Sequence, residues 1–422
     1  MFDQDPRLGD LSFCVDLDPR GDWKALRDAL AGPAMAMKQS VSPGAPFPLG
    51  LRVSASALGS LEAPEQRAEL NALIGPGIFR ALTANGLSAP SWAHRPQQAS
   101  HLPPDWLSDD RLDYTCALAD LMADLVTPGG TVSLSTAPGA LREIGLGREG
   151  EIAARLIRAA AHCVKIRRRT GVTVAIAIEP EPYWLLETTA ETAAFLTHHL
   201  FTRRAEAMLA QLTGLSGCGA AMALRRHLGL CYDTCHAALM FEDASASIAA
   251  LRAGNVPVHK LQLSAALRIA SVDGPSRAAA AAFAETHAPL QVVCRRDGAA
   301  PQLHPDLATA LARGDQADGE EWRIRFQAPL AMSGLGPFET TSAFVEDVLA
   351  LHRTRAIAPH LEIETALAEI APSLIGDTTI EEVATREIGW VIERLSDDAG
   401  LSLVELMDAL NRGAPLHHAA RQ

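Results

Sequence analysis

Three strand-like runs of this chain end in carboxylates. Carboxylates gathered at strand ends can hold a divalent cation or move a proton at carbon. Val174-Ala175-Ile176-Ala177-Ile178 runs into Glu179-Pro180-Glu181-Pro182, Leu228-Gly229-Leu230-Cys231-Tyr232 into Asp233-Thr234-Cys235-His236, and His360-Leu361 into Glu362-Ile363-Glu364-Thr365. An acidic group at the end of a buried strand is costly to desolvate without a positive partner, so Glu179, Asp233 and Glu364 together predict a shared cation. Side chains alternate along a strand, which pairs Glu179 with Glu181, Cys231 with Asp233 and Glu362 with Glu364 on common faces. One of each pair suffices as a ligand, and Glu181 is left to contact substrate.

Further polar residues belong to the same expected site. Asp233 and His236 form D-x-x-H where a strand turns into a helix, placing an acid/base imidazole beside a carboxylate. In Lys260-Leu261-Gln262-Leu263-Ser264 the polar residues alternate with leucines and would line the site. Gln262 can coordinate through its amide oxygen, more weakly than imidazole or carboxylate, and Lys260 can contact substrate. Arg268 either grips an anionic substrate group or pairs with a surface acid. Arg52, inside the apolar run Gly50-Leu51-Arg52-Val53, needs a site carboxylate or the substrate as partner. Asn85-Gly86 is a tight-turn dipeptide first and a substrate contact second.

These residues need a scaffold. Apolar strand candidates fall at 11–17, 49–54, 80–85, 131–136, 172–179, 228–233, 258–264 and 361–365. Such runs read as strands buried on both faces, as in a parallel sheet covered by helices. Between and after them, helical periodicity marks 23–37, 64–73, 109–125, 149–169, 190–212, 244–253, 342–352, 378–395 and 401–410. Thr188-Thr189-Ala190-Glu191 carries the spacing of a capping box. Strict alternation of eight strands with helices predicts a single (β/α)8 TIM barrel over residues 1–422, with a doubly wound sheet as the alternative. Two extra strand-like runs, Leu290-Gln291-Val292-Val293-Cys294 and Trp322-Arg323-Ile324-Arg325-Phe326, predict a β-hairpin inserted between strands seven and eight. It would occupy 288–330 and lie over the C-terminal face of the barrel.

Composition narrows the class of partner. Lys plus Arg number 37 against 50 Asp plus Glu, a formal net charge of −13, which disfavours nucleic acid. The seven cysteines are scattered, odd in number and without zinc-ribbon spacing, as in reduced cytoplasmic proteins. No signal sequence and no apolar run of about 18 residues is present, so no membrane insertion is expected.

At these residues the chain resembles the xylose isomerase-like TIM-barrel superfamily of sugar isomerases and sugar-phosphate epimerases. Within it, the chain is most similar to the group called metabolite traffic protein EboE. The resemblance runs in order through Leu11-Ser12-Phe13-Cys14, Gly50-Leu51-Arg52-Val53-Ser54, Glu179-Pro180-Glu181-Pro182, Cys231-Tyr232-Asp233-Thr234-Cys235-His236, Leu263-Ser264-Ala265-Ala266-Leu267-Arg268 and Leu361-Glu362-Ile363-Glu364-Thr365. It implies a divalent metal (Mn, Mg, Zn or Fe) on Glu179, Asp233 and Glu364. The fourth corner is Gln262, where the epimerases carry a histidine. It further implies isomerase or epimerase chemistry on a small polar metabolite, with Glu179, Glu364 and His236 catalytic; the alternative is a carrier of such a metabolite with a degenerate metal site. Barrels of this kind often form homo-oligomers, though no segment here marks an interface. The chain departs from the EboE pattern at Asp16-Leu17-Asp18, where Asn-x-His is usual, and at Arg325-Phe326-Gln327, where His-x-His is usual. His94 stands in for a loop histidine.

Overall fold

A computed structural model describes residues 9–14, 21–75, 77–86, 105–287, 290–365 and 379–396. Eight parallel strands close into a barrel. They are β1 (Asp10–Cys14), β2 (Phe47–Arg52), β3 (Phe79–Asn85), β4 (Thr131–Thr136), β5 (Thr173–Ile178), β6 (Leu228–Asp233), β7 (Val258–Leu263) and, after six further strands, β14 (His360–Ile363). Each pairs with its neighbour in chain order, and β14 closes the ring between β7 and β1. All eight sequence-predicted strands are therefore barrel strands. The end of the first, 15–17, lies outside the described residues, as do Asp16-Leu17-Asp18, His94 and the helix expected at 401–410. No single described helix is long and apolar enough to cross a membrane.

The helices follow local rules. Glu149–Thr170 begins with Glu149 and Glu151 and ends with Arg167, Arg168 and Arg169, charges that complement the helix dipole at both ends. Gly171 stops it at φ 77°, a left-handed conformation that suits glycine. Ile152, Leu156, Ala160, Cys163 and Val164 recur at helical spacing and are buried.

Where the periodicity misled, a specific residue intervened. The helix expected over 23–37 is Trp23–Ala29 and Met35–Val41 joined by a π turn, Leu30–Ala34, which contains Pro33. Proline offers no N–H, and a widened turn absorbs it. The helix expected over 190–212 breaks near Phe201 because Thr202 caps a new helix, Arg203–Thr213, accepting from the Ala205 amide at 3.2 Å. Thr188 accepts from the Glu191 amide as the capping spacing requires. Glu191, however, turns its carboxylate to the Glu187 amide and to Arg142, so the reciprocal half of that box is replaced.

The insertion is larger than the expected hairpin at 288–330. Its two predicted runs do pair antiparallel, as β9 (Val292–Arg295) and β11 (Glu321–Ala328). They belong to a six-stranded sheet with β8 (Ala265–Ile269), β10 (Gln302–His304), β12 (Gly334–Leu335) and β13 (Phe338–Thr340), ordered β10-β9-β11-β8-β13-β12. Its first strand leaves the C-terminal end of β7 after Ser264 alone, where the sequence pattern predicts no strand over 265–269. β11 alternates strictly: Trp322, Ile324, Phe326 and Ala328 are buried, while Glu321, Arg323, Arg325 and Gln327 are less so.

Inside the barrel, polar contacts fill the lumen, some between neighbouring strands and some across it. His360 of β14 meets Ser133 of β4 at 2.9 Å. Above that, Lys260 of β7 meets Glu362 of β14 at 2.5 Å, and Thr83 of β3 donates to the same carboxylate. Gly50 is needed beside it, because a Cβ there would stand 2.1 Å from Glu362 Oε2.

The helix Ile380–Leu395, opened by a reciprocal box between Thr379 and Glu382, ties the insertion to the barrel. Its buried Glu387 accepts from the Leu330 amide and, at 2.5 Å, from the Thr365 hydroxyl. Burial raises this carboxyl to about 7, against the opposing effect of both hydrogen bonds. A raised carboxyl contributes stability that is complete below its unfolded value and is lost as pH rises through the folded one. Glu387→Gln is thus expected to gain on the parent by about 3 kcal/mol between pH 4 and pH 9, read from urea melts of both proteins at each pH. A pH-independent difference would show that Glu387 does not titrate in this way.

Candidate functional site

The C-terminal ends of β5, β6, β7 and β14 bring Glu179, Asp233, Gln262 and Glu364 to the same end of the barrel. Glu179 continues the ladder of β5, its amide bonded to the Thr136 carbonyl at 3.0 Å, and Glu364 continues that of β14 through Leu263 at 2.9 Å. Asp233 pairs in register with Gln262, and Gln262 with Glu362. All four side chains are buried.

Asp233 is held from several sides. Its Oδ1 accepts from the Cys235 and His236 amides at 2.7 and 3.0 Å, capping the short helix Thr234–Leu239, and from the Ser264 hydroxyl at 2.9 Å. The Gln262 Nε2 donates to Asp233 Oδ2 at 2.7 Å and to Glu179 Oε1 at 3.2 Å, so the amide bridges the two carboxylates. Glu179, Asp233 and His236 each offer a ligand atom within 4.8 Å of the others. Glu364 stands apart from that group. Its Oε1 pairs with Arg52 and receives the Asn85 amide at 3.5 Å, so Arg52 and Asn85 do reach the site but serve a protein carboxylate.

Three expected contacts sit elsewhere or differently. Lys260 lies one layer below the mouth, wholly buried against Glu362, because β7 side chains two residues apart occupy successive layers of the lumen. Arg268 is on β8 and pairs with Glu321 at 2.9 Å and Glu339 at 2.7 Å; the structure does not bring it to the cluster, since the chain leaves the barrel at Ala265. Glu181 is buried at the mouth and pairs with Arg325 of β11 at 2.8 Å. Arg325 was missed as a site residue. Its sequence signals were the odd-numbered polar alternation of β11, which places Arg323 and Arg325 on one face, and its place at the start of Arg325-Phe326-Gln327, where the resembled group has His-x-His. From there Arg325 Nε reaches His236 Nε2 at 3.3 Å.

The electrostatics of the cluster are unbalanced. Lys260 answers Glu362, Arg52 answers Glu364 and Arg325 answers Glu181, which leaves Glu179 and Asp233 without a cationic partner among the described residues. Burial, then the nearby charges of Asp233 and Glu364, push the Glu179 carboxyl well above the usual range. Glu364 is also raised by burial, with Arg52 opposing. The Oε2 atoms of both glutamates are buried with no hydrogen-bond partner. Orphaned carboxylate oxygens and an excess of negative charge are what a divalent cation would satisfy, so the donor set fits one. Burial raises the Cys231 and Cys235 thiols as well, which makes them poor nucleophiles.

No family model matches this chain, and no curated protein does. Several solved structures are similar in fold, among them these two. One is the IolI protein with a bound zinc atom: 10% identity, a TM-score of 0.45, covering 93% of this chain and 100% of that one. The other, from Anabaena variabilis, is assigned as a sugar phosphate isomerase/epimerase: 12% identity, a TM-score of 0.47, covering 92% of this chain and 98% of that one. Likeness at this level adds nothing to what the closed strand order already establishes.

Proposed function

We propose that this protein is a xylose isomerase-like barrel enzyme that binds a divalent cation and a small polar compound at its mouth. The compound is sugar-like or a secondary-metabolite precursor, and the chemistry is of the isomerase or epimerase type. One observation carries the reading: Glu179 and Asp233 are buried side by side, and the cationic side chains near them among the described residues pair with other acids. These two residues would hold the ion, with the Gln262 amide beside them. When bound, the ion would polarise a substrate carbonyl or hydroxyl. Glu364 is suited to move the proton at the adjacent carbon. Arg52 and Asn85 fix its Oε1, while its Oε2 keeps a buried, unengaged lone pair. Arg52 and Asn85 thus act on the substrate through Glu364, and Glu181 acts through Arg325. His236 stands within 3.7 Å of both Glu179 and Asp233 and is the remaining acid/base group.

A second reading, a non-catalytic metabolite carrier of the EboE kind, draws on the Gln262 amide, which bridges the two carboxylates where the resemblance leads one to expect a histidine ligand. Elemental analysis of protein purified without chelator, paired with thermal shifts, separates the two. The enzyme reading expects one bound divalent ion and stabilisation of about 2.7 kcal/mol at 100 times Kd. It also expects loss of the ion in Asp233→Asn, which keeps an oxygen to cap the helix and accept from Ser264 and stays folded by circular dichroism. An ion-free barrel stabilised by a sugar-like ligand that it does not convert would favour the carrier.

A further inference from the structure

We propose that Arg325, delivered by the inserted sheet, fixes His236 as its Nδ1–H tautomer and keeps it out of the coordination shell, so that the cation is bound by oxygen ligands alone. The inference rests on the cation-binding reading and narrows it to a class of ion.

A guanidinium has donors and no acceptor. Where Arg325 Nε meets His236 Nε2 at 3.3 Å, the imidazole nitrogen is therefore the acceptor. The single ring proton of neutral His236 then sits on Nδ1, which faces the Pro180 carbonyl at 3.0 Å, a group that can only accept. Both contacts, one on each side of the ring, demand the same tautomer.

Nδ1 is also the nitrogen that faces the carboxylates, 3.7 Å from Glu179 Oε1 and from Asp233 Oδ2. To ligate an ion there it needs a bare lone pair. That would point the lone pair at the Pro180 oxygen and set an Nε2–H against the Arg325 Nε–H. Distances alone admit His236 as a third ligand; hydrogen-bond polarity does not. Arg325 is not free to step aside, because its Nη2 pairs with buried Glu181 at 2.8 Å. Its strand is also pinned to the helix that carries His236, through Arg323 and the Ala238 carbonyl. Arg325 is thus a positioning residue that acts through His236. A shell of carboxylate oxygens suits Mg²⁺ or Mn²⁺ and lacks the imidazole that Zn²⁺ and Fe²⁺ exploit.

The test uses the full chain as wild type, Glu181→Gln and Arg325→Met/Glu181→Gln; the double variant removes the ion pair without changing net charge. Long-range ¹H–¹⁵N spectra of imidazole-labelled protein, with His236 identified by His236→Gln, are expected to show a protonated Nδ1 and a bare Nε2. That pattern should hold in the wild type and in Glu181→Gln, with and without Mg²⁺. In the double variant the ratio of Zn²⁺ to Mg²⁺ affinity should rise about tenfold or more, with Nδ1 shifted by the metal. An Nε2–H tautomer in the wild type, or an unchanged affinity ratio in the double variant, overturns the proposal. If the wild type binds no divalent ion at all, the cation-binding reading fails, while the wild-type spectrum still judges the tautomer.

Discussion

Lys260→Met is expected to destabilise the barrel by about 3–5 kcal/mol, and Lys260→Met/Glu362→Gln to recover most of that loss. The two charges are wholly buried and 2.5 Å apart. Burial alone would lower the lysine, but the Glu362 carboxylate outweighs it and holds the ammonium above its ordinary value. Removing only the lysine strands a carboxylate that Thr83 can bond but not neutralise. Because Gly50 lies against the same carboxylate, it cannot swing toward β2 to find water. Neutralising both partners keeps the Thr83 contact and removes the stranded charge. Equilibrium urea unfolding of the three proteins measures both steps. A single variant within about 1 kcal/mol of the parent would mean that the lumen tolerates the unpaired acid.

Glu179→Gln should stabilise the ion-free protein at pH 8 and weaken divalent-ion binding by roughly 100-fold or more. The two effects have one origin. Burial, with Asp233 and Glu364 nearby, raises the folded carboxyl far above the unfolded value of about 4.3. The stability tied to that proton is complete below the unfolded value and is lost as pH rises through the folded one. Glutamine needs no proton, so in chelator the variant should be the more stable protein at pH 8 and should show no advantage at pH 4.5. Saturating divalent ion should reverse the order at pH 8, since the parent alone retains the second carboxylate charge. Urea melts at both pH values, with chelator and with ion, give the comparison. Parallel pH dependence of parent and variant in chelator would remove the basis of the reading.

Much of the scaffold was legible because barrel strands are buried on both faces. Runs such as Val174-Ala175-Ile176-Ala177-Ile178 and Leu228-Gly229-Leu230 announce themselves without reference to anything distant. Their acidic ends pointed to Glu179, Asp233 and Glu364, and the polar alternation of β7 to Gln262, since strand order and the two-residue alternation place them at one end of the barrel. Local chemistry that competes with periodicity was harder to read. Pro33 widened one helix, Thr202 restarted another, and β8, which begins one residue after β7, went unread as a strand.

The sequence by itself determined the barrel and which residues stand at its mouth, because apolar runs and alternation are properties of neighbouring residues. Only the tertiary structure decided which acid each cation answers: Arg52 for Glu364, Lys260 for Glu362 and Arg325 for Glu181, leaving Glu179 and Asp233 to each other and to the Gln262 amide. Charge pairing depends on distance across the lumen and on burial, and spacing along the chain carries neither.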